Sequence, residues 1–221
     1  MVAKIAIYWV ASNVLVLTSL FLPAGTFAYW QAWLFLGVGG VCGSLTVLYL
    51  AKSDRELLER RLRGPMQEAR GAQKFIATAM YLCLFFSIVL SALDHRFGWT
   101  GNAPLLVFVG NLLVVAGMYL YFLVYRENRF AAATVEIAED QRVVSTGPYG
   151  IVRHPLYVAL VTVAAGIPLA LESYWGLIFI VPLVALVVWR LLDEEALLAK
   201  NLNGYAEYQV QTRWRLIPGF F

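Results

Sequence analysis

Charge is scarce in this chain. Only 14% of its 221 residues are Asp, Glu, Lys or Arg, where a soluble domain carries about a quarter. An ordinary water-soluble globule is thereby excluded. Cysteine is rarer still: Cys42 and Cys83 are the full complement, and both fall in apolar runs. Each reads as a small packing residue, so neither a disulfide framework nor a zinc site is expected. No metal-ligand spacing occurs. No glycine-rich phosphate loop follows a strand pattern, which excludes the usual Rossmann-type cofactor architecture. Period-two alternation is also missing, which excludes a membrane barrel.

What is present is apolar length. Hydrophobic residues make up 61% of the chain, and the mean hydropathy is +0.69. Runs near 5–22, 30–51, 75–93, 105–125, 156–171 and 176–192 approach the length that crosses about 30 Å of hydrocarbon. In lipid each backbone amide must be paired within its own element, so these runs predict helices. The expected fold is an all-α polytopic membrane bundle of about six helices. The last two are joined closely, by Glu172-Ser173-Tyr174-Trp175, which is consistent with two spans or with a penetrating hairpin; five spans with one helix tilted or broken is the alternative. Thr26-Phe27-Ala28 resembles a leader cleavage site, but a second apolar run follows at once, so the first run is read as a retained span.

The few charges are unevenly placed. With the N-terminus inside, 16 of the 17 Lys and Arg residues fall in cytoplasmic segments, and only Arg96 falls outside. Basic residues near span ends set orientation, so both termini are expected in the cytoplasm. The net charge of +3 is then a matter of topology and anionic lipid heads, with no nucleic-acid partner implied. The linker 52–74 reads either as an amphipathic interfacial helix, with Leu57, Leu58 and Leu62 among Arg55, Glu59, Arg60, Arg61 and Arg63, or equally as a solvated charged loop that only enforces topology; Gly64-Pro65 breaks it. Gly39 and Gly43 have the spacing of a close helix contact, assigned to packing within the chain.

The sequence divides at about residue 125. Residues 1–125 hold four spans with little polar content. Residues 126–221 hold nearly all of the chemistry. Thr134–Ile137 and Gln141–Val144 are β-branched and predict extended chain, a small hairpin. Gly147-Pro148-Tyr149-Gly150 is a turn, and Pro155 starts a helix. Arg153 and His154 therefore stand at a helix N-terminus, where free amides attract anions. Arg190 and Glu194 share a helical face, on a helix that must neighbour the preceding one. Ionisable groups in apolar surroundings are costly unless paired or functional. Singly, each has a plainer reading: Arg153 as a topology arginine, Tyr149 and Tyr157 as interfacial aromatics, Glu194 and Glu195 as a solvated helix start. Together they describe a polar site beside lipid.

The ordered set Val143–Tyr149, Val152-Arg153-His154-Pro155-Leu156-Tyr157, Arg190 with Glu194-Glu195, Gly204–Tyr208 and Leu216-Ile217-Pro218 resembles the isoprenylcysteine carboxyl methyltransferase family. Arg126–Phe130 resembles the corresponding stretch of its bacterial members, which suggests a bacterial or archaeal cell membrane. The resemblance implies an integral membrane methyltransferase using S-adenosyl-L-methionine. It places cofactor contacts on Gln141, Arg142, Val143, Val144, Tyr149, His154, Pro155, Leu156, Tyr157 and Glu194. Arg190 would face the substrate, Arg153 would help to hold the cofactor's carboxylate, and Glu195 would be the base if the acceptor were an amine. Gln141 stands where the eukaryotic enzymes have histidine, so only a backbone role carries over there. The expected partners are membrane lipids and a lipophilic or lipid-modified acceptor, with a prenylcysteine-like carboxylate as the precedent. Phospholipid or amine N-methyl transfer, a nicotinamide-dependent reductase of the steroid-reductase type, and a non-catalytic lipid-binding protein are the alternatives.

Overall fold

The computed structural model describes residues 2–61, 68, 70–131 and 141–221, and every regular element among them is helical. In chain order these are α1 (Val2–Ala24), α2 (Trp30–Ser53), α3 (Arg55–Arg61), α4 (Gly71–Phe97), α5 (Pro104–Glu127), α6 (Pro155–Ala170), α7 (Ile180–Asn201) and α8 (Tyr205–Gln211). The six long elements coincide with the six apolar runs. α2, α4, α5 and the stretch Trp175–Asn201, a 3-10 turn that continues as α7, are long and apolar enough to cross a membrane. The apolar part of α1 (Val10–Ala24) and α6 are shorter. At 16 residues, α6 reaches about 24 Å. The expected hairpin forms between α6 and α7, through a turn at Glu172, whose φ is +58°.

Contacts at the helix ends fix alternating directions. At one end, Tyr29 donates to the carbonyl of Leu171 (2.7 Å). Glu172 accepts from Gln31 and from the Ala103 amide. Asp94 accepts from Thr100 and Ser173. That end thus gathers the start of α2, the end of α4, the start of α5 and the end of α6. Arg96 lies there too, beside Gly25 after α1. Arg61, Arg142, Arg153 and Arg190 lie instead around the site.

The tightest helix contact differs from the one expected. A Cβ added at Gly39 or Gly43 would meet nothing within 4 Å, so those glycines do not serve close packing within the chain. The close approach is between α5 and α6. A Cβ at Gly110 would lie 2.0 Å from the Ala170 nitrogen, one at Gly117 2.5 Å from Val163, and one at Gly166 2.8 Å from the Gly110 carbonyl. The two backbones touch because side chains are missing there, and this contact sets the α6 N-terminus beside the end of α5.

The linker helix is shorter and drier than its amphipathic pattern implied. In α3, Leu57 and Leu58 are buried against Leu50, with Val47, Tyr49 and Tyr125 around them. Asp54 caps it by accepting from the Leu57 amide (2.9 Å). Leu62, Arg63 and Gly64-Pro65 lie outside the described residues, as does the Thr134–Ile137 half of the expected hairpin. Gln141–Val144 carry no regular structure.

Candidate functional site

The site begins with the turn at Gly147–Gly150. Gly147 has φ +57°, where an L side chain is strained, and a Cβ there would press against Glu127 (3.0 Å). Glu127 in turn accepts from Thr146. Asn128 at the end of α5 donates to the Tyr149 hydroxyl (2.9 Å), and Tyr208 of α8 donates to the Tyr149 carbonyl (2.8 Å). Burial pushes the phenols of Tyr149 and Tyr205 well above the ordinary range and that of Tyr208 up to about 12. All three remain neutral donors at physiological pH.

Arg153 and His154 then meet the chain's last ten residues. Their amides donate to the carbonyls of Trp214 (2.8 Å) and Arg215 (3.0 Å), so these two N–H groups are not open to an anion as the helix-start argument supposed. The Arg153 side chain donates through Nε to Glu195 (2.7 Å) and through Nη1 to the carbonyls of Thr212 and Arg213 (2.9 Å each). Glu195 also meets His154 Nε2 at 3.1 Å and accepts from Arg215 at 2.9 Å. Arg153 and Glu195 side chains are each only 6% exposed. This knot binds α6, α7 and the C-terminal segment together.

A second chain of contacts crosses from α7 to α4. Tyr157 donates to Glu194 Oε2 (2.6 Å) and accepts from Arg190 Nε (3.1 Å). Arg190 donates through Nη1 to Gln73 Oε1 (2.8 Å) and through Nη2 to Glu68 (2.6 Å). Gln73 also donates to Asp193, which forms a two-pronged pair with Arg70 at 2.7 Å on both arms. Arg190 and Glu194 do share a face, but the Tyr157 hydroxyl joins them, so they are not independent.

Between the two networks lies a cavity of about 250 Å³. Its polar wall holds Arg153, His154, Tyr157, Arg190, Glu194, Tyr149, Tyr205 and Tyr208, with Gln141–Val144 above. Its other wall is Ala77, Met80, Tyr81 and Leu84 of α4, Tyr121 of α5 and Leu156 and Leu160 of α6. Charged and apolar side chains thus line one and the same space.

Of the sequence-predicted residues, Gln141, Arg142, Val143, Val144, Tyr149, Arg153, His154, Leu156, Tyr157, Arg190 and Glu194 border this cavity. Pro155 and Glu195 do not. Pro155 sits behind the lining as the first residue of α6. Glu195 is turned into the knot with Arg153 and Arg215, so the geometry offers it no path to an acceptor's proton. Sequence reasoning missed Glu68, Gln73, Asp193, Asn128 and Arg215. Glu68 and Gln73 stand in a linker whose charges look like topology signals, and nothing in their spacing points at α7.

Residues 105–204, from the first turn of α5 to the residue before α8, match the model of the phospholipid methyltransferase family. No curated protein matches the chain.

Proposed function

We propose that this chain, whose residues 105–204 match the phospholipid methyltransferase family, is an integral membrane methyltransferase that transfers a methyl group from S-adenosylmethionine to a lipophilic acceptor. The cavity carries the proposal: one space is lined both by a carboxylate and tyrosine rings and by apolar side chains of α4 and α6. The residues fit the cofactor. Glu194 accepts from the Tyr157 hydroxyl at Oε2, and its Oε1 can accept from an ammonium group. The rings of Tyr149, Tyr157 and Tyr205 suit a purine and a sulfonium. Gln141–Val144 can close over them. When bound, S-adenosylmethionine supplies an electrophilic methyl group.

The chain's own residues then position and shield. Tyr157 holds Glu194 in one place through a short hydrogen bond, and Arg190 fixes Tyr157. Arg153 and Glu195, with His154, act at one remove by locking the C-terminal segment over α6. Methyl transfer is an in-line displacement, so alignment of the acceptor atom supplies much of the rate. Met80, Leu84 and Leu160 would take the apolar tail and keep water out. We place the site at the cytoplasmic face, with both termini there, on the 16-of-17 distribution of cations. Residues 126–221 form the chemical core, with α4 and the residues just before it lending Gln73 and Glu68 from the N-terminal half.

Two substitutions test the cofactor site. Glu194→Gln removes a charge-assisted contact and should weaken adenosylmethionine binding by roughly ten- to hundredfold, about 1.5–3 kcal/mol. His154→Ala should weaken it as well. Unchanged calorimetric affinity in both folded variants would refute this placement.

A further inference from the structure

Arg190 is the one cation on α7 deep in the cavity wall, and it is already matched. Its Nη2 holds Glu68 at 2.6 Å, its Nη1 holds Gln73, and its Nε holds Tyr157. The pair is dry: the Glu68 side chain is 2% exposed and that of Arg190 6%. We propose that Glu68 is a specificity-determining residue, an internal carboxylate that occupies the Arg190 guanidinium and so excludes acceptors with an anionic head. The proposal rests on the methyltransferase function above and narrows its acceptor.

Three observations support it. First, Glu68 is held in place rather than draped there. Two residues on, Arg70 grips Asp193 with both arms of its guanidinium, and Gln73 touches both Arg190 and Asp193. Glu68 and Arg70, both before α4, are thus tied to α7 at positions 190 and 193. Withdrawing Glu68 would strain a second ion pair. Second, an incoming anion cannot share the site. Displacing Glu68 would leave a buried carboxylate with its ion partner taken, which is the costly half of a broken buried pair. Third, the nearest remaining charge on that wall is Glu194, joined to Arg190 by a single hydroxyl. With Arg190 matched by Glu68, and Arg153 and Arg215 both on Glu195, the charges of the two networks balance, and Glu194 is the cavity carboxylate that Tyr157 rather than an arginine holds. Arg61 and Arg142 also border the cavity, but Arg61 lies over the Tyr125 ring (5.0 Å) and Arg142 is exposed.

The test uses two probes with one farnesyl thioether tail, ending in a carboxylate or in a primary amine. Binding of each to the full chain in neutral detergent is measured for the wild type and for Glu68→Gln, which keeps the shape and removes the charge. The wild type should bind the amine probe at least tenfold more tightly than the acid. Glu68→Gln should gain tenfold or more for the acid, because Arg190 is released, while Glu68→Gln/Arg190→Gln should gain nothing. A merely structural role for Glu68 would lower both affinities together and leave their ratio unchanged. Equal wild-type affinity for the two probes, or no gain for the acid in a folded Glu68→Gln, would overturn the proposal. The wild-type ratio needs no variant, so a Glu68→Gln chain that fails to fold still leaves a decisive number. Adenosylmethionine binding is measured on the same samples. Its absence would sink the methyltransferase function and leave the probe ratio standing as a separate result.

Discussion

Replacing Glu195 by alanine should destabilise the protein severely. The carboxylate receives Arg153 at 2.7 Å and Arg215 at 2.9 Å, with His154 at 3.1 Å. Arg153 cannot turn to water, because its side chain is 6% exposed and its Nη1 is fixed on two carbonyls. Alanine therefore leaves a buried guanidinium with its countercharge removed, a change that costs about 3–5 kcal/mol. For a chain of this length that corresponds to a fall of about 6–20 °C in the unfolding midpoint. Glu195→Gln keeps a hydrogen-bond acceptor and should cost less, about 1.5–3 kcal/mol. Arg153→Met combined with Glu195→Leu removes the unpaired buried charge and should recover part of the loss, the rest remaining because the Thr212 and Arg213 carbonyls lose their donor and Arg215 its partner. Thermal unfolding in one detergent would be followed for all four proteins, with limited proteolysis reporting release of residues 212–221. A midpoint for Glu195→Ala within 2 °C of wild type, a tolerance of about 1 kcal/mol or less, would refute the buried knot.

Glycine positions should separate cleanly. Gly110→Ala drives a methyl into the Ala170 backbone and should cost about 1–3 kcal/mol or more as overpacking, whereas Gly39→Ala meets open space and should be neutral; equal midpoints for the two would contradict the α5–α6 contact. For orientation, cysteines introduced singly near Gly71 and near Gly101, with Cys42 and Cys83 replaced, should label from opposite sides of the membrane, and labelling from one side would overturn the six-span topology.

Much of the architecture was legible because lipid leaves few choices. Apolar runs of the right length must be helices, and the six predicted runs coincide with α1, α2, α4, α5, α6 and α7. The ends were less legible. α4 begins at Gly71 and α7 runs to Asn201, well into charged sequence, where Arg70, Gln73, Asp193 and Glu195 find partners elsewhere in the fold. Glycine spacing misled at Gly39 and Gly43. A close approach depends on what the partner helix presents, and the glycines that matter, Gly110, Gly117 and Gly166, are spread over two helices with no short motif between them.

The site was legible where its residues lie close together in sequence. The stretch from Tyr149 to Tyr157, and Arg190 with Glu194, do meet around one cavity. The roles of two charged residues were not legible. Arg153 and Glu195 looked like ligand-facing groups, yet they satisfy each other, and no local pattern tells a paired buried charge from an available one. Glu68 was invisible for the complementary reason: its partner is 122 residues away, across a linker whose charges also suit orientation.

The central claim is that the cavity binds a methyl donor. Calorimetric titration of the detergent-solubilised full chain with S-adenosylmethionine, and separately with NADPH, tests it most directly. Saturable binding of adenosylmethionine near one equivalent, weakened by Glu194→Gln, with no heat from NADPH, is the predicted result. Saturable NADPH binding with none for adenosylmethionine would contradict it and turn the same cavity into the site of a reductase.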